Sequence, residues 1–155
     1  MTANPLSDVR FTCYGEPVGK GRPRTVRRRS KARGEFLATI TPQKTVDYEE
    51  QIRSAARAAM AGRMPFDRPV MLELRIFMGV AASWSKSRRA TALAGEILPT
   101  KKPDADNVLK AVKDAMNGIV YIDDCQVVDF HGRKRFSDTP RVEVIITPLA
   151  KAGTN

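Results

Sequence analysis

Residues 70–79, VMLELRIFMG, alternate in side-chain character over most of their length. Val70, Leu72 and Leu74 recur at every second position, with Ile76 and Met78 continuing the series, while Glu73 and Arg75 occupy positions between them. Successive side chains of a β-strand leave opposite faces, so this stretch predicts a strand with one apolar face. Such a strand belongs in a sheet that is covered on one side.

Two stretches with helical periodicity are predicted to form the helices that cover this sheet. Apolar residues fall at helical spacing from Gln43 to about Ala61, and again from about Asn107 to Asn117, where Gly118 ends the pattern. A short helix is predicted around 86–95. Other strands are predicted in DVRFTCYGEPVG, FLATITP, IVYI, QVVDFHGRKRF and RVEVIITPL. This order predicts an α+β fold, with two main helices packed on a mixed sheet.

The chain of 155 residues suits one small domain spanning 1–155. We expect flexible tails at 1–8 and 150–155. No apolar run is long enough to cross a bilayer. Cys13 and Cys125 match no metal or redox spacing, so free thiols in a cytoplasmic protein are expected.

Positive charge is concentrated near the start of the chain. The net charge is +10, and residues 20–34 hold eight Lys or Arg without apolar periodicity. We interpret this segment as a basic arm or loop. A field of this kind favours a polyanion, nucleic acid before acidic membrane or protein, although a merely soluble basic protein is the alternative.

Acidic residues interrupt this basic chain in KKPDADNVLKAVKDAMNGIVYIDDCQVV, residues 101–128. Asp104 and Asp106 immediately precede the second main helix, and Asp123 and Asp124 follow it. The bland alternatives are helix capping for the first pair and a polar turn for the second. The sharper hypothesis is a divalent-metal site, in which a cation relieves the repulsion among carboxylates and next to a phosphate.

The sequence lacks the residues that most other kinds of catalytic or metal site require. His131 is the only histidine, which excludes complete HExxH zinc sites and Ser-His-Asp triads. There is no phosphate-binding lysine loop of the Walker type, and DADNVLKAVKDA departs from the calcium-binding EF-hand pattern. No organic cofactor is expected. Carboxylate metal chemistry remains.

The same residues carry a family resemblance. The stretch KPDADNVLKAVKDAMNGIVYIDDCQVV resembles the D-x-D-N-x-x-K, helix, D-D-x-Q-V signature of RusA-type Holliday-junction resolvases, and GEPVGKGRPR is similar to that family's basic N-terminal segment. The resemblance implies a RusA-like α+β homodimer that nicks four-way DNA junctions in pairs, with Mg²⁺ or Mn²⁺. The arginine-rich RTVRRRSKARGE and the long connection 79–102 depart from the family pattern.

Carried over by position, the resemblance makes Asp104, Asp106 and Asp124 the catalytic metal ligands, with Asp123 a neighbouring ligand candidate. Lys110 takes the position of the family's essential lysine, and Asp114 falls where an acid is common. The residues predicted to bind DNA phosphates are Lys20, Arg22, Arg24, Arg27, Arg28, Lys86, Arg88, Arg89, Lys101 and Lys102. Trp84 or Phe36 is a candidate wedge at the branch point, a core position being the alternative.

The leading functional hypothesis is therefore a metal-dependent, structure-selective endodeoxyribonuclease of recombination and repair. The alternative is a non-catalytic protein that binds branched DNA, and an RNA-associated basic module ranks last. The metal hypothesis requires the two acidic pairs to meet in space.

Overall fold

The computed structural model describes residues 6–151, and the remainder of both predicted tails, 1–5 and 152–155, lies outside the described residues. The elements are β1 (Val9–Tyr14), β2 (Arg24–Ser30), β3 (Gly34–Ile40), α1 (Gln43–Met60), β4 (Val70–Gly79), α2 (Lys86–Leu93), α3 (Ala105–Met116), a 3₁₀ turn (Asp124–Gln126), β5 (Val127–Ser137) and β6 (Arg141–Pro148). The predicted α+β class is confirmed. No helix in this described range is long and apolar enough to span a membrane.

A four-stranded mixed sheet organises the fold, with strand order β1-β6-β4-β5. Only the β4–β5 pair is parallel; β1–β6 and β4–β6 are antiparallel. As the alternation predicted, Val70, Leu72, Leu74 and Ile76 are fully buried, while the intervening side chains are half-buried. Helices α1 and α3 pack against each other and supply Ile52, Ala56, Val108 and Val112 to the same core.

Two predicted elements differ from the structure. IVYI forms a turn and an isolated bridge at Tyr121 rather than a strand, because Gly118, at φ 75°, folds the backbone back immediately after α3. Residues 24–40 form a β-hairpin (β2 and β3, hereafter the arm hairpin): the strand predicted in FLATITP is β3, and it pairs with β2, which lies in the segment predicted to be a loop. Gly34, at φ 67° after the turn 31–33, supplies the left-handed residue that a short hairpin turn requires.

Candidate active site

Asp104 and Asp106 stand at the exposed N-terminus of α3. Asp104 occupies the N-cap position, but its carboxylate accepts no capping hydrogen bond from the helix backbone. The Asn107 side chain instead donates from its Nδ2 to Asp104 Oδ2 at 3.4 Å. Helix capping therefore does not account for Asp104, and its carboxylate oxygens face solvent.

The second acidic pair is held in the 3₁₀ turn by Gln126. The Gln126 Nε2 donates to the backbone carbonyls of Phe66 and Arg68, both at 2.8 Å, and its Oε1 accepts from the Asp123 N–H at 2.9 Å. The Asp123 carboxylate in turn accepts from the Cys125 N–H at 3.3 Å. Asp123 is thus committed to the turn, as the polar-turn alternative held, whereas Asp124 is not.

The pKa values of the two neighbours move in opposite directions. The Cys125 N–H and a hydrogen bond with Asp124 lower the pKa of Asp123. Burial raises the pKa of Asp124, and hydrogen bonds shared with Asp123 and then Asp114 add to the rise against the attraction of Lys113. Asp124 therefore faces a neighbouring carboxylate on α3, where a cation would be favoured.

Lys20 connects this region to α1. Its Nζ donates to Asp114 on α3 and, at 2.8 Å, to Glu49 on α1, whose side chain is buried. The Lys20 N–H also donates to the Asn107 carbonyl at 2.9 Å. Lys20, predicted to bind DNA, thus already has two carboxylate partners.

Sequence reasoning missed Glu49 as a partner. A detectable signal was present, since Glu49 lies in the buried stripe of α1 between Thr45 and Ile52. A charge in an apolar stripe requires a partner.

Glycine allows the Lys20 segment to run this close to the helices. A Cβ on Gly19 would lie 3.1 Å from Pro103, and one on Gly21 would lie 2.7 Å from Pro42. The segment forms one wall of a groove of about 750 Å³ beside Asp104. Its charged lining residues are Lys20, Arg22, Lys44, Lys102 and Asp104. Asp104, from the first acidic pair, therefore shares this groove with four basic side chains.

The two acidic pairs lie at opposite ends of α3. Asp124 faces Asp114, ten residues after Asp104, which at about 1.5 Å per residue is about 15 Å along the helix. Strand β5 gives a second measure: Lys134 Nζ donates to the Pro103 carbonyl at 2.8 Å. Val127 follows the acidic turn directly, and Lys134 lies seven residues further along β5, which is about 23 Å of strand. The Lys134 end of β5 is therefore next to the start of α3, and its Val127 end is next to the acidic turn.

Within one chain, Asp106 and Asp104 therefore lie about 12 Å and about 15 Å along α3 from Asp114, the residue that Asp124 faces. Consistent with this separation, no three His, Cys, Asp or Glu side chains within residues 6–151 converge as a metal-binding group.

The remaining predicted residues lie around these features. Lys110 is exposed on α3, but the lysine whose charge acts on Asp124 is Lys113. The exposed cations are Arg22, Arg24, Arg27 and Arg28 in or before the arm hairpin, Lys86 and Arg88 on α2, and Lys101 and Lys102 before α3, while Arg89 is half-buried.

Of the two candidate wedges, Trp84 is already packed. The Arg88 guanidinium lies 3.8 Å from the centre of its ring, and the Phe136 ring meets its edge with centroids 5.3 Å apart. Phe36 is half-buried opposite Arg28 in the arm hairpin.

Comparison with known proteins adds two findings. A family model described as Endodeoxyribonuclease RusA matches residues 14–147. The chain is also similar to a protein of Bacillus subtilis (strain 168) named Uncharacterized protein YqaN, with 37% identity over 144 residues, covering 92% of this chain and 97% of that protein. The matched residues include both acidic segments.

Proposed function

Because this chain belongs to the RusA endodeoxyribonuclease family, we propose that it resolves four-way DNA junctions by paired, metal-dependent nicks. Besides the family match, the main support for this proposal is the position of the first acidic pair. Asp104 and Asp106 are exposed, and Asp104, which is not used for capping, lines a groove together with four basic side chains. Carboxylates so placed would repel a phosphate unless a cation lay between them.

The donor set suits a hard divalent cation. Asp104, Asp106 and Asp124 would hold Mg²⁺ or Mn²⁺ through carboxylate oxygens, with Asp123 beside them. When bound, the cation would lower the pKa of a water and stabilise charge on the attacked phosphate. Lys110, exposed one helical turn after Asp106, would add positive charge near the leaving oxygen.

We propose that the site is completed in a homodimer. The separation along α3 from Asp114, about 12 Å for Asp106 and about 15 Å for Asp104, is too large for one cation to contact both acidic pairs of one chain. Asp124 of the partner subunit would complete the Asp104 and Asp106 pair. A two-fold dimer then has two such sites, which matches the two cuts that a two-fold junction requires.

Cleavage is tested directly with an end-labelled immobile four-way junction and a linear duplex of the same arm sequence, each with and without Mg²⁺. We expect symmetric nicks in the junction only, and only with metal. Asp106→Asn should abolish nicking while junction binding survives, and Asp47→Asn, an exposed carboxylate on α1, is the matched control. Normal cutting by Asp106→Asn would contradict the site assignment.

The shared site is tested by mixing variants. Asp106→Asn and Asp124→Asn should each be inactive alone, but a heterodimer of the two retains one site with both wild-type contributions. Mixing under conditions that exchange subunits should therefore restore nicking of one strand. If each chain holds a complete site, both sites of the heterodimer are damaged and the mixture stays inactive.

A non-catalytic branched-DNA-binding protein is the second candidate. The observation that favours it is the lack of a three-ligand group within residues 6–151 of one chain. Tight junction binding by wild type without nicks in Mg²⁺ or Mn²⁺ would select it.

A further inference from the structure

The arm hairpin lies outside the buried core. No residue from 22 to 40 is buried, and β2 and β3 find their principal packing partners in each other. Isolated two-stranded hairpins are marginally stable in water, and seven-residue strands extend about 20 Å. The arm hairpin is therefore about 20 Å long and contributes no buried side chain to the core.

The two faces of the arm hairpin differ. One face is wholly exposed and carries Thr25, Arg27, Arg29, Glu35, Leu37 and Thr39. The other face holds half-buried Val26, Phe36, Ala38 and Ile40, together with Arg24 and Arg28. The apolar side chains therefore lie on the less exposed face, with one exception.

Leu37 is that exception. It is the only large apolar residue on the exposed face and is 70% exposed. In the strand register it lies directly opposite Arg27, and Arg29 is its diagonal neighbour. An apolar side chain beside two arginines combines a surface that can cover a base with charges that can bind the flanking phosphates.

We propose that Leu37 on the arm hairpin inserts against an unstacked base pair at the branch point of the junction, with Arg27 and Arg29 on the adjacent phosphates. This inference rests on the proposed function, since it needs a branched substrate. A two-stranded ribbon is narrow enough to enter a DNA groove, and apolar side chains open base steps in this way. The surface therefore recognises DNA structure.

Charge selects DNA over a second copy of the chain as the occupant. Residues 24–40 carry six Lys or Arg against Glu35 alone. Two such hairpins laid face to face would repel each other, whereas a polyanion is attracted.

The experiment measures binding in Ca²⁺ without cleavage, using a junction with 2-aminopurine at the branch point and a linear duplex of equal length. Leu37→Thr keeps a residue suited to strands and removes the apolar tip. We expect its preference for junction over duplex to fall about tenfold, with duplex affinity unchanged, and the 2-aminopurine signal of unstacking to be lost. Leu37→Phe should retain both properties, and Thr39→Ala, on the same strand and face, is the control.

An unchanged junction preference and 2-aminopurine signal in Leu37→Thr would overturn the proposal, as would an equal loss of affinity for junction and duplex. A separate assay tests the proposed function. If the wild-type protein leaves the junction uncut in Mg²⁺ while these binding results still hold, the proposed function fails and the role of Leu37 in binding stands.

Discussion

Lys20→Met should destabilise the protein because it leaves Glu49 without its principal cation. The Lys20 Nζ donates to Glu49 at 2.8 Å and also to Asp114. The Glu49 side chain is only 10% exposed, whereas the Asp114 side chain is 33% exposed and can be rehydrated. Methionine preserves the apolar stem, so the change isolates the ammonium.

The magnitude follows from these partners. A hydrogen bond to a charged group contributes about 1.5–3 kcal/mol, and breaking a fully buried ion pair costs about 3–5 kcal/mol. The cost is lower here because Arg53 remains 3.8 Å from Glu49 and water reaches Asp114. We expect a loss of about 2 kcal/mol in the free energy of unfolding, and a Tm lower by about 4–8 °C.

The pH dependence gives this loss a signature. Burial opposes the charged form of Lys20, but its hydrogen bonds to Asp114 and Glu49 outweigh burial and raise its pKa. A raised lysine pKa stabilises fully below the unfolded value of about 10.4, and that stability is lost as pH rises through the folded pKa. The gap between wild type and Lys20→Met should therefore be constant up to about pH 9.5 and shrink at higher pH.

Urea unfolding at a series of pH values measures this gap. Lys44→Met, at an exposed position in the first turn of α1, is the control, and Glu49→Gln should partly rescue Lys20→Met because it removes the orphaned charge. A loss below about 0.5 kcal/mol, as for an ordinary surface change, would refute the reasoning. So would a gap that does not shrink above the folded pKa.

Three further variants follow from the structure. Gln126→Met removes three hydrogen bonds that anchor the acidic turn, and should lower nicking more than tenfold with little change in junction Kd, measured by single-turnover cleavage and titration. The double variant Arg27→Gln with Arg29→Gln should reduce the slope of log K against log salt by about 2 without changing Tm, since each phosphate contact contributes about 0.9. Asp124→Asn should abolish nicking yet raise the free energy of unfolding slightly, by less than about 1 kcal/mol, and lowering the pH below about 4 should remove that gain in urea titrations.

The sheet and helices were predictable because local periodicity reports burial. The alternation in residues 70–79 identified β4, and the apolar stripes identified α1 and α3 to within a few residues. Strand β3 was predicted from FLATITP, but β2 was not, because arginine occupies both faces of β2 and hides the period of two. Its strand pairing is decided across the turn at Gly34, which a window along β2 alone does not sample.

The ion pairs of Lys20 could not be predicted from local sequence patterns, for a different reason. Its partners Glu49 and Asp114 are 29 and 94 residues away along the chain. Sequence alone indicated a cation in a basic segment, for which phosphate is the expected partner. The buried carboxylate that competes for it becomes visible only when α1 and α3 are packed together.

The predicted acidic residues differ in the hydrogen bonds that their carboxylate oxygens already make. Asp123 accepts a backbone N–H in the turn, and that bond lowers its pKa. Asp104 stands where a capping aspartate would stand yet accepts no backbone hydrogen bond from the helix, and Asp124 is ionised against burial and a facing carboxylate. Above its raised pKa, the ionised Asp124 makes the folded state less stable than a neutral side chain would. A carboxylate that caps or holds a turn stabilises the fold, so a carboxylate that weakens it is the stronger candidate for binding a cation. By this criterion Asp104 and Asp124 are the informative members of the two pairs, and their placement at opposite ends of a rigid helix is what makes a second subunit necessary to the proposed site.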